Sequence, residues 1–193
     1  MERLLISQLL KWKESHGRKP LVLEGARQVG KTWLLKEFGR KYFKDICYIN
    51  FEQSDVLGEV FAGDLSPQRI IEQLSIYNGK VIEPEQTLII FDEVQLFPQA
   101  RQAIKYLVAD GRFDYIETGS LISIKKNVKD ILIPSEEYRV KMYPMDFEEY
   151  LWALGDEITI PTVKNSFEER KALGDTIHRK IMKTFRTYMV VGG

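Results

Sequence analysis

Two short stretches of this chain carry residue types that together handle phosphate. The segment "GARQVGKT" fits the pattern G-x-x-x-x-G-K-[ST] through Gly25, Gly30, Lys31 and Thr32. Glycines keep side chains out of the way, so backbone N–H groups turn inward around an anion at the positive end of the next helix. Lys31 adds a point charge for β- and γ-phosphates, and the Thr32 hydroxyl is placed to ligate Mg²⁺. Ala26, Arg27, Gln28 and Val29 form the loop interior. Arg27 faces either solvent or a phosphate, solvent being the better fit because the backbone supplies the main ligands. Trp33 follows directly and joins the nucleotide-contact candidates, although packing between helix and sheet is its plainer role.

The second stretch, "TLIIFDE", is an apolar run that ends in Asp92-Glu93. Acidic pairs at strand ends are common, but after a phosphate loop they form a hydrolytic set. Asp92 then holds the metal, and Glu93 orients and deprotonates the attacking water. A third polar tip, "FDYIETGS", offers Thr118 or Ser120 to the terminal phosphate or the lytic water, where a hydroxyl would report hydrolysis. The alternative for these hydroxyls is a turn with a helix cap.

These tips need strands to carry them. Apolar runs at 20–25, 46–52, 87–93, 113–120 and 138–144 alternate with helical patterns at 31–43, 66–77 and 98–109. Such alternation predicts an α/β fold, a three-layer arrangement around a mostly parallel sheet with ligands at the carboxyl ends of the strands. A further amphipathic helix fits residues 3–14. From Asp146 the pattern turns helical, first in "DFEEYLWALG" and then, after "DEITIPTVKN", in one long helix over 166–190. A soft boundary near 155 separates a nucleotide-type domain, 1–155, from a helical segment, 156–193. The ending "YMVVGG" reads as a cut in mid-protein.

Composition narrows the classes. The 28 basic and 28 acidic side chains cancel and the sequence pI is about 6.8, so bulk charge does not call for nucleic acid, although it stays a possible partner. The lysines of "KKNVK" (125–129) fit a solvated loop better than a nucleic-acid or partner contact. The single cysteine, Cys47, suits a reducing compartment, and "MERLLISQLLKWKESHG" is too charged for a signal peptide or membrane span. The cytoplasm is the expected location, without a membrane partner. His16 and His178 share no ligand spacing with Cys47, so no zinc site is expected. No Asn-Lys-x-Asp motif favours guanine, and no arginine-bearing lid suggests a small-molecule kinase.

Taken together, "GARQVGKTWLLKEF", "IIFDEVQ" with Gln95, "TGS" and "YPMDFEEYL" resemble the bacterial and archaeal AAA-like P-loop ATPases in which an N-terminal ATPase domain precedes a second domain. The resemblance covers about residues 1–155, and "TYMVVGG" looks like the start of the Gly-Gly segment leading toward the C-terminal region. It implies strand order 5-1-4-3-2, ATP with Mg²⁺, Gly25 to Thr32 as the loop, Asp92 as the metal-side acid, Glu93 as base, and Thr118 or Ser120 as sensor. The implied activity is ATP hydrolysis coupled to an attached helical or C-terminal region. The alternative is a nucleotide-gated module that binds protein or nucleic acid with negligible turnover. Relatives carry a C-terminal domain likened to restriction endonucleases, which is not within these residues, so no nuclease role transfers. Among Arg101, Arg112 and Arg139 no convincing arginine finger stands out, Arg139 being the first choice and a solvated or salt-bridged role the alternative for each.

Overall fold

The computed structural model describes residues 3–17, 19–52, 57–119 and 137–192. Ser120 and the lysines of 125–129 lie outside the described residues. In chain order the elements are α1 (Ile6–Glu14), β1 (Leu21–Gly25), α2 (Lys31–Tyr42), β2 (Asp45–Asn50), α3 (Leu57–Val60), α4 (Pro67–Asn78), β3 (Thr87–Asp92), a 3-10 turn (Val94–Leu96), α5 (Pro98–Asp110), β4 (Asp114–Gly119), β5 (Tyr138–Met142), α6 (Phe147–Ala153), α7 (Thr159–Glu168) and α8 (Asp175–Val191). By contacts they fall into two compact units, Gln8–Met142 and the residues from Tyr143 on together with those up to Ser7. The division comes at Tyr143, earlier than the boundary expected near 155.

The five described strands form one parallel sheet in the order 2-3-4-1-5, the expected 5-1-4-3-2 read from the other edge. Strands β3 and β4 are buried along their whole length, as central strands with neighbours on both sides must be. Parallel neighbours need crossovers, and α2, α4 and α5 supply helical ones. Local signals set their ends. Pro67 opens α4, where its missing N–H has no intrahelical partner to lose, and Gly79 and Gly111 close α4 and α5 at φ 69° and 72°. Gly39 lets α2 settle against β2, because a Cβ there would stand 2.2 Å from the Ile46 side chain. On the other face, Ile70 and Leu74 of α4 and Ala103 and Ile104 of α5 join Ile49 and Phe91 in one core cluster.

The helical unit corrects the sequence reading. Instead of one helix over 166–190 there are two, α7 and α8, and the first lies mostly in "ITIPTVKN", which had been read as a connection. Asp156 explains the start: its carboxylate accepts from the N–H groups of Ile158 and Thr159 at 3.1 and 2.9 Å and from the Thr159 hydroxyl at 2.6 Å. Pro161 falls in the first turn, where proline costs no helical bond. Positive φ at Arg170 and Gly174 ends one helix before the next begins. At α6, Asp146 and Glu149 form a capping box, and Glu149 also accepts from Arg3 Nε at 3.0 Å and Leu4 N–H at 2.8 Å. Phe147 meets Phe185 of α8 edge-on, centroids 5.0 Å apart, and the Tyr188 hydroxyl donates to the Met145 carbonyl. No described helix is long and apolar enough to cross a membrane.

Candidate functional site

At the carboxyl end of β1 the chain has no space for side chains. A Cβ on Gly25 would stand 2.6 Å from the Met142 carbonyl oxygen of β5. Gln28 at φ 67° and Gly30 at φ 92° then turn the backbone into α2, which starts at Lys31. Gly25 thus lets the loop start hard against β5, and Gly30 takes the left-handed turn that leads into the helix, as a phosphate loop requires. Lys31 is buried and bends back over it, donating to the carbonyls of Gly25 at 3.1 Å and Ala26 at 2.8 Å. Burial lowers its ammonium pKa below the ordinary value, with Glu93 and Asp92 pulling the other way.

Beside the loop lies a cleft of about 470 Å³, with Arg27, Gln28, Gly30, Lys31, Thr32 and Trp33 on the loop and helix side and Glu52 and Glu93 completing the lining. Gly25, Ala26 and Val29 shape the loop without lining the cleft. Arg27 is largely exposed and stands 3.6 Å from the Glu52 carboxylate. Trp33 departs from the expected packing between helix and sheet: it is 40% exposed, because α2 turns that side toward the cleft while Leu34 and Leu35 take the buried side.

Beneath Thr32 sits Asp92, 3% exposed. Its Oδ2 accepts from the Thr32 hydroxyl at 2.7 Å and from the Tyr48 hydroxyl at 2.6 Å, while Oδ1 accepts from the Thr118 hydroxyl. The donors at this corner are a hydroxyl and a carboxylate, hard oxygens that suit Mg²⁺. Among the described residues no group of three His, Cys, Asp or Glu could hold a metal by itself.

Glu93 adopts a left-handed backbone, φ 56° and ψ 38°, which swings the chain off β3 into the 3-10 turn and sets its carboxylate at the cleft. Gln95 Nε2 donates to that carboxylate from a buried position. Thr118 is fully buried and lies outside the cleft lining. Its hydroxyl donates to Asp92 and accepts from the Glu93 N–H at 3.4 Å, so one side chain ties both acids together.

A parallel sheet in this order, a glycine-rich loop running into a helix and an acidic pair on the third strand are features of one large group of nucleotide-binding proteins. The family described as "AAA domain" matches residues 17–151, well over half of the chain. This chain belongs to that family. Two uncharacterized relatives align with it. One, from Haemophilus influenzae, is 24% identical over 176 residues, covering 88% of this chain and 42% of its own. The other, from Methanocaldococcus jannaschii, is 28% identical over 131 residues, covering 67% of this chain and 27% of its own. The chain thus spans less than half the length of these curated relatives. Among solved structures, Drosophila ORC bound to DNA has a TM-score of 0.51 at 18% identity, covering 86% of this chain and 47% of that one. The Aeropyrum pernix ORC1 protein in complex with DNA has a TM-score of 0.50 at 13% identity, covering 78% and 47%. These likenesses speak for the fold, that of an AAA+ P-loop domain, and the family makes the chain a nucleotide-binding, ATPase-like module.

In this AAA domain all three weighed arginines are held by acids. Arg101 is buried, with Nε 3.4 Å from Glu117 and Nη2 2.8 Å from Glu137. Arg112 Nε donates to Asp110 at 2.6 Å. Arg139, the first choice, pairs with Glu137 at 2.9 Å and Glu24 at 3.3 Å. Sequence reading missed Tyr48 altogether and took Gln95 only as a mark of resemblance. The signal for Tyr48 was the alternation in "CYIN", but using it requires the register that pairs Asn50 with Asp92 and Tyr48 with Ile90.

Proposed function

We propose that this AAA domain binds ATP at Gly25–Thr32 and hydrolyses it in a Mg²⁺-dependent reaction, with Trp33 and Arg27 at the rim of the nucleotide site. The observation that carries the reading is the meeting of Lys31, Thr32 and Glu93 at one cleft, with Thr32 bonded directly to the buried Asp92 behind it. Lys31 offsets phosphate charge from within the loop. Thr32 and Asp92 would hold Mg²⁺, which when bound neutralises charge on the phosphate oxygens. Glu93 accepts the proton of the attacking water, and Thr118 keeps Asp92 and Glu93 in fixed relation as the γ-phosphate leaves. Turnover is coupled to a change in the helical segment from Tyr143 on, acting on a protein partner or on further domains of a longer protein. A cytoplasmic setting fits the lone, buried Cys47.

A second reading, a nucleotide-gated binding module with negligible turnover, draws on one observation. The Glu93 carboxylate is already held by Gln95, a resting arrangement in which the base is engaged. Such a module would take protein or nucleic acid as partner; the ORC relatives in fold are bound to DNA, while this chain carries no net charge.

The two readings part on nucleotide binding measured by calorimetry and phosphate release measured with and without DNA. Lys31→Ala is expected to lose binding and turnover together. Glu93→Gln is expected to bind ATP as the parent does while turnover falls by at least ~100-fold. Parental turnover in Glu93→Gln would remove Glu93 from the role of base, and a parent that binds ATP without releasing phosphate under either condition would favour the gated module.

A further inference from the structure

Asp92 is held by three hydroxyls, and only one of them faces the cleft. Thr32 lines it; Thr118 and Tyr48 do not. A hydroxyl has one proton and two lone pairs, so Thr32 can donate to Asp92 while its oxygen serves a cation. The phenol of Tyr48 is placed on the same carboxylate oxygen as Thr32, at 2.6 Å. It reaches there from β2, two positions before Asn50, the residue in register with Asp92. The ring itself is clamped: the Lys36 ammonium stands 3.6 Å from its centroid. Lys36 is one helical turn beyond Thr32 on α2, so the same helix face supplies the cleft hydroxyl and the cation that seats the ring. Tyr48 is only half-buried and stands apart from the sheet's core cluster, and its hydroxyl meets Thr32 and Asn50 as well as Asp92.

We infer that Tyr48 is a positioning residue for the metal, fixing the Asp92 carboxylate in the orientation that receives Mg²⁺, with Lys36 fixing Tyr48 in turn. The inference rests on the reading of Gly25–Thr32 as a nucleotide site. Removing the phenol oxygen leaves Oδ2 with Thr32 alone, and a carboxylate held on one side less firmly loses metal affinity before it loses nucleotide affinity. Groups that orient a metal ligand are typically worth 10- to 100-fold in metal affinity.

The test uses the whole chain, Mn²⁺ as the probe and a non-hydrolysable ATP analogue. Bound Mn²⁺ is read by electron paramagnetic resonance, and analogue affinity is measured separately in EDTA. Tyr48→Phe is expected to weaken Mn²⁺ binding by ~10-fold while analogue affinity in EDTA stays at the parental value. Lys36→Met is expected to move Mn²⁺ binding the same way by ~3-fold, and Lys36→Arg, which keeps a cation over the ring, to restore it. Mn²⁺ affinity within twofold of the parent in Tyr48→Phe overturns the inference. So does an equal loss of analogue binding in EDTA, which would make Tyr48 a fold residue. If Tyr48→Phe does not accumulate as folded protein, Lys36→Met decides alone, and parental Mn²⁺ affinity there overturns the proposal. A parent that fails to bind the analogue at all brings down the nucleotide-site reading itself, a result distinct from the others.

Discussion

Glu117 and Thr118 are consecutive residues of β4, both with no exposed surface, and they point to opposite faces of the sheet. On the α2 face, Thr118 has every polar atom engaged: it donates to Asp92 and accepts from the Glu93 backbone. On the α5 face, Glu117 meets the Arg101 guanidinium at 3.4 Å but out of line for a hydrogen bond, and neither of its oxygens has a hydrogen-bond partner. Around it stand Arg101 from α5, and Glu137 and Arg139 at the start of β5, with Glu24 of β1 on the far side of Arg139. Burial drives the Glu117 carboxyl up to about 7, Arg101 opposing the rise and Glu137 adding to it. One strand thus carries two kinds of buried polarity. Three hydroxyl bonds give the Asp92 carboxylate a fixed direction, whereas the charge cluster holds α5, β4 and β5 together at a cost in desolvation.

The largest expected effect lies at Arg101. Arg101→Leu strips two buried carboxylates, Glu117 and Glu137, of their shared cation. The expected loss is about 3–5 kcal/mol of stability, read by urea unfolding. Nucleotide affinity of the protein that remains folded should stay parental, because no atom of Arg101 reaches the cleft. A selective loss of ATP affinity without loss of stability would show that the α5 face takes part in binding, and would erase the distinction between the faces.

Legibility in the sequence followed the same divide. The glycine loop before α2 and the placing of Asp92 and Glu93 at the end of β3 were readable because each motif is contiguous and local to one strand end, and the strand order came with the family resemblance. Tyr48 was not readable, because its role depends on which strand lies beside β3 and in which register. Arg139 invited a catalytic role as an arginine near a strand start; only the fold shows two carboxylates, Glu24 and Glu137, already holding it. Glu117 has no motif of its own, and only the packing of Arg101 and Glu137 around it marks it out. The helix at Thr159–Glu168 was missed because "ITIPTV" has β-branched residues and a proline, while the Asp156 cap that overrides them lies outside the stretch.

Glu117 makes the α5 face sensitive to pH. Its carboxyl titrates at about 7 in the fold against 4.5 as its ordinary value. Folding therefore favours the protonated form, so the stability this group contributes is complete below pH 4.5 and is lost as pH rises through 7. Glu117→Gln removes that dependence. Unfolding free energies of parent and variant should diverge by about 3 kcal/mol between pH 4.5 and 8, the parent being the one that weakens. An identical difference at both ends of the range would mean that Glu117 stays ionised, and that the charge cluster is as well satisfied as the hydroxyl network.

The smallest expected effect on stability belongs to Thr118, and it is the one that reaches catalysis. Thr118→Val keeps the shape and removes the hydroxyl, so Asp92 loses a donor and the Glu93 N–H loses its acceptor. Leaving buried groups unpaired costs about 1–3 kcal/mol in stability, less than the loss of Arg101. Because this one oxygen joins the Asp92 carboxylate to the Glu93 backbone, turnover should fall further than ATP affinity does, while Thr118→Ser, which keeps the oxygen, should stay near the parent in both. Phosphate release and calorimetric binding on the same samples give the comparison. If Thr118→Val lost stability alone, with turnover per folded molecule unchanged, the hydroxyl network would be no more than a second way of filling the core, and the two faces of β4 would differ in chemistry but not in purpose.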